Sequence, residues 1–169
     1  MRTKKLTVMA LLSAIALTIF TIEAQIPALV PIPGIKLGLS NIVTVFAVFT
    51  LGSWEAAAIL AVRIFLGSVF AGNFSTILYS AAGGLLAILV TVSLRRILRE
   101  EQIWVAGCLG AVAHSIGQMG MAVLISGTPS ILIYLPVMIV CSIITGLFTG
   151  LCAGFLVKRG KKLWKTTFK

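Results

Sequence analysis

The stretch Leu94-Arg95-Arg96-Ile97-Leu98-Arg99-Glu100-Glu101-Gln102 divides the chain into two unequal apolar parts. The other dense groups of basic residues lie at the two ends, within residues 2–5 and 158–169. Between these tracts the sequence is almost continuously hydrophobic: 59% of the 169 residues are hydrophobic and the mean hydropathy is +1.12. This composition is typical of an integral membrane protein without a soluble domain.

Six hydrophobic segments fit in the chain, four before the 94–102 stretch and two after it. A membrane-spanning helix needs about 20 mainly apolar residues, so a chain of this length has little left outside its spans. We therefore predict an all-α integral membrane protein with six transmembrane helices and a single domain over residues 1–169. The predicted spans are 6–24, 39–52, 55–71, 74–94, 103–126 and 131–157.

The positions of lysine and arginine predict the orientation, because basic residues concentrate in cytoplasmic loops. Three basic residues precede the first span, three lie between the fourth and fifth spans, and six follow the last. We therefore predict that both termini are cytoplasmic, because all twelve of these residues then lie on the cytoplasmic side. The net charge of +10 then reflects membrane topology and contact with anionic lipids rather than nucleic-acid binding. The N-terminus also resembles a secretory signal, but no small-x-small cleavage site follows, so we predict a retained helix.

Several kinds of chemistry lack the residues they need. The chain contains no aspartate, and its four glutamates are Glu23, Glu55, Glu100 and Glu101. Magnesium–diphosphate chemistry uses clustered carboxylates, and hydrolysis usually needs a paired acid and base. A P-loop and a GxSxG motif are also missing, and the single histidine and three cysteines lack metal-ligand spacing. We therefore predict a protein that is not an enzyme and has no cofactor and no metal site.

Charged and polar residues inside the predicted spans are candidate functional residues. Arg63 lies near the middle of the third span, where inserting an arginine costs at least ~2.5–3.5 kcal/mol. It either forms a buried ion pair with Glu23 or Glu55 or contacts an anionic ligand. His114 and Gln118 are four residues apart and so share a helix face, where they line a cavity or bond to a neighbouring helix.

Small residues predict close helix packing. Gly107, Gly110, Ala113, Gly117 and Gly120 recur at intervals of three or four residues in the fifth span and predict one small-residue face. In the sixth span, Gly146, Gly150 and Gly154 are spaced four residues apart.

The segment 27–41 combines three prolines and two glycines with mainly apolar residues. Such a segment does not form a helix, and it lacks the polar side chains of a solvated loop. We predict a rigid outer loop that covers a cavity, with Lys36 and Asn41 at its mouth. A re-entrant or lipid-lying connector is the alternative.

These residues carry a resemblance to a known family. The blocks PGIKLGLSN (33–41), RIFLGS (63–68), AGG (82–84) and GAVAHSIGQ (110–118) resemble the Gx transporter family, whose members often bear the label heptaprenyl diphosphate synthase component I. Together with the ALLSA block at 10–14, they are similar to the substrate-binding S-components of energy-coupling factor (ECF) vitamin transporters.

The resemblance implies a subunit of the bacterial plasma membrane that binds a small anionic nutrient or cofactor precursor near the outer face. Its partners would be a transmembrane coupling protein, which would dock at Ala10 and Ala14, and two cytoplasmic ATPases. The candidate ligand-binding residues are Lys36, Asn41, Arg63, Asn73, His114 and Gln118, with Tyr79 and Tyr134 as weaker candidates.

Two other functions remain open at this point. One is an accessory membrane subunit of isoprenoid or quinone biosynthesis, although the lack of aspartate argues against a synthase in the literal sense. The other is a structural subunit of a membrane redox complex.

Overall fold

The computed structural model describes residues 2–25, 36, 38–72 and 75–167, and in these residues the chain is helical without β-strands. The α-helices of this part are α1 (Arg2–Glu23), α2 (Asn41–Thr50), α3 (Ser53–Ala71), α4 (Ser75–Arg95), α5 (Ile103–Ser126) and α6 (Leu135–Thr167). Short 3-10 helices, Glu100–Gln102 and Pro129–Tyr134, precede α5 and α6.

Five of these helices are long and apolar enough to cross a membrane, and α2 is the exception. With 10 residues, α2 rises about 15 Å, which is half of a ~30 Å hydrocarbon core. The predicted span at 39–52 is therefore not confirmed as a membrane-crossing helix. Leu39 and Ser40 form a turn instead, and Gly38 adopts a left-handed backbone conformation with φ of 81°.

The short helix α2 lies at the centre of the bundle. Every other α-helix of the described chain packs against it, and most of its residues are buried. The chain reverses direction at Gly52, whose φ of 135° is unfavourable for residues with a side chain, and then enters α3. Because α2 is enclosed by protein, its ends need not reach the membrane surfaces.

The helix α5 packs between α4 and α6 through glycines, but not through the single face predicted from the sequence. A Cβ atom on Gly107 would collide with the backbone of α6, whereas Cβ atoms on Gly110 and Gly117 would meet α4. A Cβ atom on Gly120 would meet no atom of another described helix within 4 Å, so the prediction that Gly120 belongs to the packing face is wrong. The small residues thus serve two interfaces of α5, one with α4 and one with α6.

Apolar and polar layers alternate along α5. Ile103 and Ala106, near its start, belong to a large apolar core that includes the second half of α2. Met119 and Ala122, near its end, belong to a smaller apolar cluster with Tyr79. His114 and Gln118 lie between these two layers and are both buried. A buried polar layer therefore crosses the middle of the bundle.

Candidate functional site

Polar side chains from four helices and from the segment before α2 converge about halfway along α3 and α5. The space among them measures about 190 Å³ and is partly open to solvent, and we call it the central pocket. Among the described residues, its lining consists of Phe20, Glu23, Lys36, Gly38, Ser40, Arg63, Ser80, His114 and Gln118.

The segment before α2 is bound to three helices through polar contacts. The backbone N–H of Gly38 donates to Oε1 of Glu23 on α1 at 2.5 Å. The backbone N–H of Lys36 donates to Oε1 of Gln118 on α5 at 3.3 Å. On α3, Nη1 of Arg63 donates to Oγ of Ser40. These contacts hold the chain that leads into α2 against the pocket.

Two glycines leave room for the polar side chains. A Cβ atom on Gly38 would lie 2.9 Å from Nδ2 of Asn41 and 3.1 Å from Cδ2 of His114. A Cβ atom on Gly83 of α4 would lie 2.9 Å from Cε1 of His114 and 2.8 Å from Cγ of Gln118. Both contacts are closer than ordinary van der Waals distance, so side chains at these positions would push the polar groups out of place.

The ammonium group of Lys36 lies over the ring of Phe20, with Nζ 3.3 Å from the ring centroid. This cation–π contact is favourable in a partly desolvated site. Burial lowers the pKa of Lys36 to about 8, and the nearby carboxylate of Glu23 opposes this shift while Arg63 adds to it. Lys36 therefore reaches a half-protonated state close to physiological pH.

Several buried polar atoms have no hydrogen-bond partner in the described part of the protein. In the central pocket these are Oε2 of Glu23, Nζ of Lys36, Nε of Arg63 and Nδ1 of His114. Beside it, both amide atoms of Asn41 are also unpaired. A buried polar group without a partner costs about 1–3 kcal/mol. Six such unpaired atoms in and beside one pocket distinguish it from ordinary helix packing.

Arg63 is only 2% exposed, yet no carboxylate of the described residues lies within 4.0 Å of it. Glu55, one of the two partners considered from the sequence, instead binds Nζ of Lys5 at 2.5 Å. Glu23, the other, shares the pocket with Arg63 without forming an ion pair. The structure therefore contains no direct ion pair for Arg63 in its described part.

Four of the six candidate ligand-binding residues line the central pocket: Lys36, Arg63, His114 and Gln118. Asn41 lies next to them, with its amide against Gly38, but is not part of the lining. Asn73 lies outside the described residues. Whether any of them binds a ligand remains a prediction.

The two weaker aromatic candidates lie elsewhere. Tyr79 is buried in the apolar cluster with Met119, and Tyr134 is 37% exposed in the 3-10 helix before α6. Neither is part of the described pocket lining.

Sequence reasoning assigned no ligand-binding role to Glu23, Ser40, Ser80 and Phe20 of the lining. Glu23 is a candidate functional residue because it is charged and lies in a predicted span, but sequence reasoning assigned it no specific role beyond a possible ion pair with Arg63. The serines and Phe20 gave no comparable signal, because such residues are common in membrane helices. Only the fold brings them into the pocket.

The remaining predictions concern metals and docking. In the described ranges no group of three His, Cys, Asp or Glu residues could hold a metal ion. Ala10 and Ala14, the predicted docking residues, are both exposed on α1.

Comparison with known proteins assigns the chain to a family. The family model described as heptaprenyl diphosphate synthase component I matches residues 12–156, which is most of the chain. The protein belongs to this family, in agreement with the resemblance seen in the sequence. No curated protein and no solved structure matches the chain.

Proposed function

We propose that this member of the heptaprenyl diphosphate synthase component I family is the solute-binding membrane subunit of an ECF-type micronutrient importer, and not an enzyme. The observation that carries the proposal is the central pocket, where buried charged groups face one another without pairing. Pockets with a few convergent polar groups in an otherwise apolar protein are typical of small-molecule sites. Binding and release of a small polar solute require such groups.

The pocket supports this proposal better than a synthase role. Glu23 is the one carboxylate in the described lining, whereas magnesium–diphosphate sites use several. The single carboxylate thus argues against magnesium–diphosphate binding at this pocket.

The proposed topology has six crossings and both termini in the cytoplasm of a bacterial cell. The short helix α2, enclosed by the other helices, would form the described part of the second crossing. In this arrangement single cysteines placed at residues 127–129 label from outside, and ones placed at 95–102 label only after permeabilisation. The reverse pattern would contradict the orientation.

The exposed positions of Ala10 and Ala14 support a docking role for α1. Two small residues one helical turn apart allow another helix to approach closely. The partner in this proposal is a transmembrane coupling protein that works with two cytoplasmic ATPases. The basic residues at the cytoplasmic ends of the helices would contact anionic lipid headgroups.

A double variant tests the coupling role. Ala10→Leu with Ala14→Leu should retain solute binding but lose uptake and co-purification with the ATPases, since the change adds bulk only to an exposed helix face. As a matched control, Leu85→Phe with Leu89→Phe adds bulk to an exposed face of α4 and should leave uptake unchanged. Normal uptake by the alanine double variant would remove α1 from the docking role.

The family description itself favours a second candidate, an accessory subunit of isoprenoid or quinone synthesis. Co-purification separates the candidates. A coupling protein and ATPases support import, whereas a prenyl synthase subunit, or turnover of a prenyl diphosphate with magnesium, supports the synthase role. Isolation with redox subunits would instead indicate a structural role in a redox complex.

A further inference from the structure

The unpaired atoms of the central pocket are of two opposite kinds. Nζ of Lys36 and Nε of Arg63 are cationic donors, whereas Oε2 of Glu23 is an anionic acceptor. All three side chains line the same small space. A ligand that satisfies the pocket must therefore both accept and donate hydrogen bonds.

A simple anion does not meet this requirement. It would pair with Lys36 and Arg63, but it would leave Oε2 of Glu23 without a donor and would place a second negative charge beside that carboxylate. Glu23 is 4% exposed, so solvent cannot compensate for either effect. The presence of Glu23 thus acts against ligands that carry only negative charge.

A simple cation is disfavoured for the opposite reason. It would pair with Glu23, but it would face the positive charges of Lys36 and Arg63 in the same space. With His114 counted as neutral, the three charged side chains sum to +1. The site therefore favours a ligand that presents a negative group to one side and a donor to the other.

The anchoring of Glu23 sharpens this inference. Its Oε1 accepts the N–H of Gly38 at 2.5 Å, and the backbone N–H of Leu39 also lies close to the carboxylate, whereas Oε2 has no hydrogen-bond partner among the described residues. Arg63 is similarly anchored, because Nη1 donates to Ser40 while Nε stays unpaired. Glu23 and Arg63 are thus each held by a residue that precedes α2, Gly38 or Ser40, and each keeps one polar atom without a partner.

We infer that the solute is a compact amphoteric molecule, with an anionic group that pairs with Arg63 and Lys36 and an N–H donor that binds Oε2 of Glu23. This inference rests on the proposed function, since it names the chemical class of the solute bound at the same pocket. The three charged side chains line one space of about 190 Å³, part of which is open to solvent.

The test uses a defined mixture of small compounds arranged in matched sets. Each set contains an amino acid, the carboxylic acid that lacks its amino group and the amine that lacks its carboxylate, with nucleobases and organic phosphates added. The purified full-length protein in lipid nanodiscs is incubated with the mixture and washed, and mass spectrometry identifies the retained compounds. We expect at least tenfold enrichment of compounds that carry both groups over their matched acids and amines.

The Glu23→Gln variant tests whether Glu23 itself causes the selectivity. Glutamine retains an acceptor for Gly38 but replaces the charged acceptor at Oε2, so the preference for an amino-bearing compound over its matched acid should fall about tenfold. Glu55→Gln makes the same chemical change outside the pocket and should leave this preference intact. Should Glu23→Gln fail to fold, the selectivity of the unchanged protein still decides the question.

The outcomes separate this inference from the proposed function. Retention of acids as strongly as of their matched amino acids overturns the amphoteric ligand but leaves solute binding standing. An unchanged preference in a folded Glu23→Gln variant also overturns it. Retention of no compound from the mixture overturns the amphoteric ligand, and a lack of uptake in cells that contain the coupling protein would then count against import as well.

Discussion

Two charged regions lie on α3, about 12 Å apart along the helix, and they are built differently. At the start of α3, Glu55 binds Lys5 directly at 2.5 Å, and both side chains are partly exposed, at 21% and 44%. Near its middle, Arg63 is 2% exposed and has no carboxylate within 4.0 Å in the described chain. Charges of both regions could pair, but only those at the helix start do.

This difference is the opposite of what the stability of the fold alone would favour. Desolvation makes an unpaired buried charge costly, whereas a partly exposed charge loses little when it is left alone. Stability alone would therefore place the direct ion pair in the buried region. The spacing of Glu23, Lys36 and Arg63 around a shared pocket instead leaves each charge accessible to a molecule between them.

The largest expected effect follows from removing the charge of Arg63. Arg63→Gln should weaken solute binding by roughly 1.5–3 kcal/mol, or about ten- to a hundredfold, because a charge-assisted hydrogen bond is lost. Thermal midpoint and ligand retention should be measured side by side. Selective loss of retention in a protein that melts normally would support the ligand role.

A set of related variants can contradict this assignment. Glu23→Gln and Glu55→Gln should be compared with the corresponding double variants that also contain Arg63→Gln. If Arg63 were a structural partner of either glutamate, the single change would leave a stranded charge and lower stability. Recovery of stability in a double variant would then favour a structural ion pair over ligand binding.

A smaller effect should appear in the pH dependence of binding. Burial lowers the pKa of Lys36 to about 8, so its charged fraction falls from about nine-tenths at pH 7 to about one-tenth at pH 9. If an anionic group requires the charged lysine, affinity is retained below pH 8 and falls about tenfold between pH 7 and pH 9. Titration calorimetry or ligand retention across this range measures the effect.

Other ionisable groups face the same space, namely Glu23 on α1, Arg63 on α3 and His114 on α5. Lys36→Arg separates them from Lys36, since arginine keeps its charge throughout this pH range. The variant should bind with little change between pH 7 and pH 9. If Lys36→Arg shows the same fall in affinity between pH 7 and pH 9 as the unchanged protein, the pH dependence arises from another group.

The sequence predicted the large elements of the fold well. Hydrophobic length and basic tracts located α3, α4 and α5 to within two residues at each end, because these features depend on local composition. The helix α2 also lies within two residues of its prediction at each end, but its shortness leaves a membrane crossing unconfirmed. The contacts of Gly38 and Ser40 with Glu23 and Arg63 just before α2 could not be predicted, because the partners lie far apart in the sequence.

Some residues of the candidate site could be predicted from the sequence and others could not. Arg63, His114 and Gln118 stood out because polar groups are costly in an apolar helix, and the structure brings them together. Ser80 gave no such signal, and Gly83 could not be linked to the site without knowing that it lies against His114. Asn41 was placed at a pocket mouth, yet its amide lies against Gly38 rather than in the lining.

The smallest effect is expected at the ion pair between Lys5 and Glu55. Lys5→Gln or Glu55→Gln should destabilise the protein by about 0.2–1 kcal/mol, since partly exposed ion pairs gain little over solvated charges. The pairwise coupling in a double-mutant cycle should decrease between 50 mM and 500 mM salt, because ions screen exposed charges. Ligand retention should stay the same in both single variants, since neither residue lines the pocket. A coupling well above this range, or a loss of retained ligand, would show that the start of α3 and its middle are not as different as their geometry indicates.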